Sequence, residues 1–197
     1  MEFKLINSRE SDNILIWDLL VRIFHWALAS FFILAYFLEG YRLSLHVHAG
    51  YTIGLLVMFR IIWGVIGSDS ARFANFLVTP REALSYTVAL VKGSSSHYLG
   101  HNPAGAVMIV ALLSSLLLTT VSGIVLFALE GSGPLANTFV ASWPGGLTAT
   151  VHDLAADICL ILVVMHVLGV FFSSVYYKEN LAKSMITGKK KTQGKLS

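Results

Sequence analysis

Four apolar runs, each about 20 residues long, constrain the fold of this chain more than any other feature, because that length of helix crosses the hydrocarbon core of a bilayer. They cover approximately residues 19–38, 46–67, 105–128 and 152–175. Backbone groups in lipid must be hydrogen-bonded within their own segment, so runs of this kind are helical. With 55% hydrophobic and only 13% charged residues, the chain is predicted to be an all-α integral membrane protein. It is predicted to form a single domain over residues 1–197, a four-helix transmembrane bundle.

The basic residues predict how this bundle is oriented. If both termini are cytoplasmic, 13 of the 14 Lys and Arg residues, among them Lys4, Arg9 and Lys195, fall on the cytoplasmic side, and only Arg42 falls outside. Such an asymmetry is typical of cytoplasmic segments, and four spans bring both termini to the same face. The basic C-terminal tail is then interpreted as a topology signal and a contact for anionic lipid. The net charge of +3 therefore requires no nucleic-acid partner.

Two long connections separate the spans. On the cytoplasmic side, the sequence TPRE at residues 79–82 has the form of a capping box with proline at the first helical position. Apolar residues follow it at helical spacing: Leu84, Val88 and Val91. This pattern predicts an amphipathic helix over about residues 80–92, lying on the membrane surface. The outer connection, residues 129–151, is rich in Gly, Pro, Ser and Thr and is predicted to be irregular.

Seven histidines are the candidate chemical groups of the chain: His25, His46, His48, His97, His101, His152 and His166. His25 and His166 lie well inside spans, where ionisable side chains are rare and usually functional. His152 and His166 are 14 residues apart, which in one helix is a rise of about 21 Å and a return to within roughly 40° of the same face. They are too far apart to bind one metal ion, so each needs a partner from another helix. His97 and His101 are interpreted more simply, as hydrogen-bonded polar residues before the third span.

The depth of each histidine can be counted, because consecutive spans are antiparallel. His25 comes early in the first span and His166 late in the fourth, which places both at the inner level. His46, His48 and His152 all open their spans at the outer level. This counting predicts one histidine pair at each level, and it leaves open whether His46 or His48 is the partner of His152. Two residues along a helix are about 200° apart, so only one of them can face His152.

Two-histidine sites between helices favour haem over zinc. Zinc takes three or four ligands, and no carboxylate or cysteine is near enough in sequence to complete the inner pair. Haem iron accepts two axial imidazoles, and its macrocycle fills an apolar slot between helices. No C-x-x-C-H motif is present, so the haems would be b-type, and a histidine on both faces of the iron favours electron transfer over oxygen binding. The alternative without haem is a proton or metal path through a small transporter.

Small and basic residues lie where a haem would need them. Three glycines share a helix face with one of the histidines: Gly50, Gly54 and Gly169. They would leave room for the ring, although glycines also allow close helix packing in membranes. Arg22 and Arg60 lie at the inner level, where they are candidate partners for the haem propionates or, alternatively, simple topology-determining charges. The single cysteine, Cys159, excludes an iron–sulfur site built within one chain.

Four segments carry a recognisable pattern: WDLLVRIFHW at 17–26, HVHAGYTIGLLVMFRIIWGVIG at 46–67, GHNPAGA at 100–106 and VHDLAADICLILVVMHVLGV at 151–170. They resemble the bacterial di-haem cytochrome b561 family, which includes the cytochrome b subunits of nickel–iron hydrogenases. In that family the second-helix ligand is the histidine followed by Gly at i+4 and Arg at i+14. The resemblance therefore implies inner haem ligands His25 and His166 and outer ligands His46 and His152. Gly50 and Gly54 also share the face of His46, and His48 is left as an interface residue or a proton carrier.

The resemblance also implies a function. Members of this family exchange electrons between membrane quinone and a redox partner at the outer surface, such as a periplasmic c-type cytochrome, in the bacterial inner membrane. We therefore predict two non-covalent b-type haems with bis-histidine ligation. The alternative is a membrane anchor and electron relay of a hydrogenase or dehydrogenase complex, and the sequence leaves open whether the chain itself oxidises quinol. Candidate proton-carrying residues of a quinone site are Asp153, Asp157, His48 and His101, although the two aspartates are equally well explained as groups at the start of the fourth helix.

Overall fold

The computed structural model describes residues 13–191. Residues 1–12 and 192–197, which contain Lys4, Arg9 and Lys195 of the charge argument, lie outside the described residues. Within the described range the chain forms α1 (Leu19–Leu38), α2 (Leu43–Ile66), α3 (Pro80–Val91), α4 (Pro103–Leu129), α5 (Gly145–Tyr176) and α6 (Leu181–Thr187), with two short strands, β1 (Asn13–Leu15) and β2 (Lys189–Lys191).

Four of these helices, α1, α2, α4 and α5, are long and apolar enough to cross a membrane. Polar residues cap two of them at the start: the Asp18 carboxylate accepts the Val21 N–H at 2.8 Å, and the Asn102 side-chain oxygen accepts the Gly105 N–H at 2.7 Å. Such caps satisfy backbone donors that have no partner within the helix. The predicted four-helix membrane bundle is confirmed, and the chain is a multi-pass membrane protein.

The fourth span begins earlier than predicted. Helix α5 begins at Gly145 rather than near residue 152, so the prediction that residues 129–151 are irregular is wrong for the last part of that segment. Pro144 is the residue before the first helical turn, a position where its missing N–H costs nothing. The Pro-Gly-Gly sequence, which we interpreted as loop, is therefore a helix start. Residues Phe139–Ser142 of the same connection form a single 3₁₀ turn.

The helices pack in the order α1, α2, α4, α5, each against the next. A core of buried residues lies between them: Ala35, Ala49, Ile53, Val57, Leu116 and Cys159. Cys159 is midway in sequence between His152 and His166 on α5, so the core separates the two predicted levels of the bundle. Because α5 packs mainly on α4 within the described residues, the spaces between α5 and the pair α1 and α2 are left for the histidines to bridge.

Helix α3 packs beside the bundle and shows two apolar faces. Its capping box has both hydrogen bonds, with Thr79 and Glu82 as the two partners. The face that packs on α4 is formed by Ala83, Tyr86 and Leu90, which are buried. The residues of the predicted stripe, Leu84, Val88 and Val91, are instead exposed. An exposed apolar stripe is what a helix at a membrane surface requires.

Segments from near the two chain termini meet at one end of the bundle. Strand β1 pairs antiparallel with β2, and the Arg22 Nη1 donates to the carbonyl of Ile186 at 2.6 Å. Lys190 is buried and lies 3.5 Å from Glu179. We call α6 and β1–β2 the terminal cover, the end where it lies the termini end, and the opposite end the loop end. The basic tail is thus not only a lipid contact, because residues up to Lys191 are built into the fold.

Candidate functional site

Two histidine pairs bridge the bundle at two levels. At the termini end, the ring centres of His25 on α1 and His166 on α5 are 6.3 Å apart, with the ring planes at 55°. At the loop end, the ring centres of His46 on α2 and His152 on α5 are also 6.3 Å apart, with the planes at 78°. The structure therefore brings together the residues that counting paired, and it places both pairs across the spaces beside α5.

The separation of the rings suits a metal ion held between them. A metal bound to an imidazole nitrogen lies about 2 Å from it, so one ion between two facing rings holds their centres roughly 6 Å apart. Among the described residues, no group of three or more His, Cys, Asp or Glu side chains forms a candidate metal site. Each pair thus offers two imidazoles, the number that bis-histidine haem iron takes.

The hydrogen bonds of the loop-end pair determine which ring nitrogens are available. The Nδ1 atom of His46 lies 2.9 Å from the carbonyl oxygen of Ala35, and that of His152 lies 2.9 Å from the carbonyl oxygen of Thr119. A carbonyl oxygen can only accept, so both Nδ1 atoms carry the proton and donate. The Nε2 atom of each ring then keeps its lone pair for a metal, as is typical of metal-binding histidines.

A cavity of about 320 Å³ opens beside this pair and is lined by both of its histidines. Its volume is within the range of small-molecule and cofactor sites. The lining is mostly apolar, and four carboxylate residues contribute to it: Glu39, Glu130, Asp153 and Asp157. The loop-end pair is therefore associated with an apolar slot that has acidic residues around it.

The glycines near the loop-end pair have different surroundings. A Cβ atom on Gly50, which lines the cavity, would meet nothing within 4 Å, whereas one on Gly54 would lie 2.8 Å from Thr120 Cγ2. Gly50 thus leaves open space beside His46, but Gly54 allows α2 and α4 to pack closely and does not line the cavity. Gly123, which was not predicted from the sequence, also lies against this pair, because a Cβ there would be 2.9 Å from the Cε1 atom of His152. The sequence feature that could have identified Gly123 is its position near the outer end of the third span, at the depth of His152.

At the termini end, buried polar atoms lack partners. His25 Nδ1, Arg22 Nε and Arg60 Nη1 are buried without a hydrogen bond within the described chain. Arg60 is only 4% exposed, and its guanidinium carbon lies 4.7 Å from the centre of the Phe73 ring. Buried donors without acceptors are costly, so these guanidinium groups are suited to an anionic partner. Two arginines at the level of a histidine pair fit the propionates of a haem.

His48 lies apart from the loop-end pair. It is exposed, its Nδ1 lies 2.5 Å from the carbonyl oxygen of Ser44, and it lines a second cavity of about 350 Å³ with Tyr51 and Phe127. The structure shows no contact between His48 and His152.

The two histidines before α4, His97 and His101, are held by contacts with other side chains. The His101 ring packs between Trp17, at 4.5 Å, and Phe76, at 4.3 Å. Burial, together with the positive charges of Arg60 and Lys190, lowers the pKa of His101 to about 3, so its ring is neutral at physiological pH. The His97 Nε2 lies 2.9 Å from the Glu179 carboxylate.

Comparisons with known proteins identify the family of the chain. Residues 16–188 match a family described as prokaryotic cytochrome b561. The chain is also similar to a probable Ni/Fe-hydrogenase B-type cytochrome subunit of Rhizobium leguminosarum bv. viciae, with 24% identity over 92% of this chain and 90% of the relative. A second protein with the same description, from Bradyrhizobium diazoefficiens, is 24% identical over 78% of this chain and 68% of the relative.

Proposed function

The chain belongs to the prokaryotic cytochrome b561 family, and on that premise we propose that it carries two b-type haems and transfers electrons between the quinone pool and a redox partner. Family membership and the four apolar helices make it a membrane b-type cytochrome with a role in electron transfer. The number of haems, the haem ligands and the redox partners are proposed here.

The observation that carries the proposal is the presence of two equal histidine pairs at two levels, each with ring centres 6.3 Å apart. His46 and His152 would hold the loop-end haem, with Gly50 leaving room for its ring. His25 and His166 would hold the termini-end haem, with Arg22 and Arg60 as partners for its propionates. Bound at these sites, each haem iron supplies a one-electron couple.

Other residues of the chain would orient the imidazoles and keep water out of the space between the two levels. Ala35 and Thr119 orient the loop-end imidazoles through their carbonyl oxygens. The core around Val57 and Cys159, both fully buried, excludes water between the two levels. Two histidines at each site would hold the iron and leave no position for oxygen, so the arrangement would favour electron transfer over ligand chemistry.

We also propose an orientation in the membrane and a redox partner for the chain. The termini end would be cytoplasmic and the loop end periplasmic, in the bacterial inner membrane, because the positive charges gather at the termini end. A periplasmic c-type cytochrome is the partner proposed at the loop end. A second candidate function, the membrane anchor and electron relay of a hydrogenase or dehydrogenase complex, is favoured by the names of the two relatives.

Haem content tests the proposal directly. We expect two b-type haems per chain in the purified protein, one after His46→Ala or His166→Ala, and two after the matched change His48→Ala, since His46 and not His48 pairs with His152. The measurement is haem quantification by pyridine haemochrome spectra against protein concentration. One haem in the unchanged protein, or a haem lost from His48→Ala but not from His46→Ala, would contradict the assignment.

The two candidate functions are separated by the partner. If the purified chain alone reduces an acceptor with quinol, it acts as a quinol-linked cytochrome. If it does so only with a co-purifying hydrogenase or dehydrogenase, it is the relay subunit of a complex.

A further inference from the structure

We infer that the loop-end site has the lower reduction potential of the two, so that an electron passes from the loop end to the termini end as the energetically favourable direction. This inference rests on the proposed haem ligands. It is carried by two differences between the sites, in the hydrogen bonds to the ligands and in the charges around them.

The hydrogen bonds differ between the two pairs. Both loop-end rings donate Nδ1–H to a backbone carbonyl at 2.9 Å, and the Ser122 hydroxyl lies 3.2 Å from the Nδ1 of His152. Donation from Nδ1 to a carbonyl raises the electron density on the other ring nitrogen and makes the imidazole a stronger ligand. A stronger donor stabilises the oxidised, more positive iron. At the termini end, by contrast, His25 Nδ1 is buried without an acceptor among the described residues.

The charges differ in the same sense. The loop-end cavity is lined by four carboxylate residues, and neither Lys nor Arg is among its lining residues. Carboxylates favour the oxidised state of a site, although these four side chains are exposed and partly screened by solvent. At the termini end the guanidinium of Arg60 is buried, where a charge acts with little screening, and Arg22 is about one helical turn before His25. The Asp18 carboxylate interacts with Arg60 and offsets part of its positive charge. These cations offset the negative propionates and favour the reduced state.

The hydrogen bonds, the loop-end carboxylates and the two arginines favour the same direction, and Asp18 opposes them only in part. One electron leaves the loop-end site, which is thereby oxidised, and reduces the termini-end site; no bond is made or broken and no proton is transferred in this step. Arg60 is the most deeply buried of the charges involved, so it is the residue to change at the termini end.

A spectroelectrochemical titration of the purified full-length protein tests the inference. We expect two separate waves, with the lower one absent from His46→Ala, which identifies it as the loop-end site. The double change Asp153→Asn and Asp157→Asn should shift the lower wave upward and leave the upper wave in place. Asp69→Asn is the matched control, because Asp69 is an exposed carboxylate at the termini end, and it should leave the lower wave unmoved.

Changes at the termini end provide the second half of the test. Arg60→Gln should shift the upper wave downward. If removing this buried residue prevents folding, Arg22→Gln gives the same test with a less buried side chain, and its upper wave should also shift downward.

Two outcomes would overturn the inference: His46→Ala removing the upper wave instead of the lower one, or the two sites titrating together as one wave. Either result leaves the haem count at two per chain and therefore leaves the proposed function standing. A single haem in the unchanged protein would instead refute the proposed function itself.

Discussion

His101 is a neutral imidazole built into the packing at the termini end, between Trp17 and Phe76. Its burial, aided by the charges of Arg60 and Lys190, lowers its pKa to about 3, whereas a histidine in an unfolded chain has a pKa of about 6.5. Between these two values the unfolded chain binds a proton that the folded chain does not. The free energy of unfolding is therefore unaffected by His101 at neutral pH, where the ring is neutral in both states, and it decreases as the pH falls below about 6.5.

We expect His101→Phe to reduce the sensitivity of the protein to acid. The aromatic contacts with Trp17 and Phe76 remain, but the group that takes up a proton on unfolding is gone. Between pH 6 and 4 the unchanged protein should lose up to about 1.4 kcal/mol per pH unit more than the variant. The measurement is unfolding in detergent micelles at several pH values. Equal pH slopes for the two proteins would show that His101 does not titrate between the folded and unfolded states.

At this scale the sequence predicted which side chains face each other, because depth and helix face follow from counting along four antiparallel spans. It did not predict which groups accept from His46 and His152, the carbonyl oxygens of Ala35 and Thr119, since every residue has a carbonyl and nothing in the sequence marks these two. The same holds for Gly123, whose role becomes visible only when α4 is placed beside His152.

Two successive turns of helix α2 have different roles: one lines the loop-end cavity and the next packs against α4. Gly50 lines the loop-end cavity next to His46, while Gly54, one turn further along, is in contact with Thr120 of α4. Both glycines share the face of His46 by sequence spacing, so we predicted the same role for both. The structure separates them, because the space beside a helix changes within one turn.

A matched pair of changes in α2 tests this separation. We expect Gly54→Leu to push α2 away from α4 and to lower the free energy of unfolding by about 1–3 kcal/mol. A Cβ at Gly50 would meet no protein atom within 4 Å, so Gly50→Leu should leave the fold intact, but its side chain would occupy the loop-end cavity and lower the haem content. Thermal unfolding and haem quantification of both variants give the comparison. A Gly50→Leu protein with full haem content would place the ring elsewhere.

Among the secondary-structure elements, only short segments and segments with an ambiguous sequence pattern were not predicted. The long spans were predicted to within a few residues, since each is a continuous apolar run. The start of α5 was missed, because Pro144 and the two glycines after it are as typical of a turn as of a helix start. Strands β1 and β2 have three residues each and show no periodicity, so only the pairing of segments distant in sequence reveals them.

At the scale of the whole molecule, the charge distribution and the exposed aromatic residues are typical of a protein that spans a bilayer. Arg42 is the single described cation at the loop end, where Tyr41, Phe139 and Trp143 are also exposed. Aromatic residues collect at membrane interfaces and basic residues on the cytoplasmic side. The bundle is thus expected to have its loop end in the periplasm.

Labelling with a membrane-impermeant maleimide tests this orientation. The native Cys159 is fully buried, so the unchanged protein should react little. We expect Ser142→Cys, at the loop end, to be labelled in intact spheroplasts, and Ser96→Cys, an exposed position at the termini end, to be labelled only after the membrane is opened. The reverse pattern would invert the bundle and exchange the two sides on which partners are proposed.

The terminal cover has a consequence for how the protein is made. Its strand β1 is synthesised before the four spans, but β2, α6 and the carbonyl of Ile186 that accepts from Arg22 are synthesised after them. Segments that emerge early must wait for later ones to complete such a contact. The contact between Arg22 and Ile186 can therefore form only after all four spans have been synthesised, so this end of the bundle is completed later than the histidine pairs between the spans.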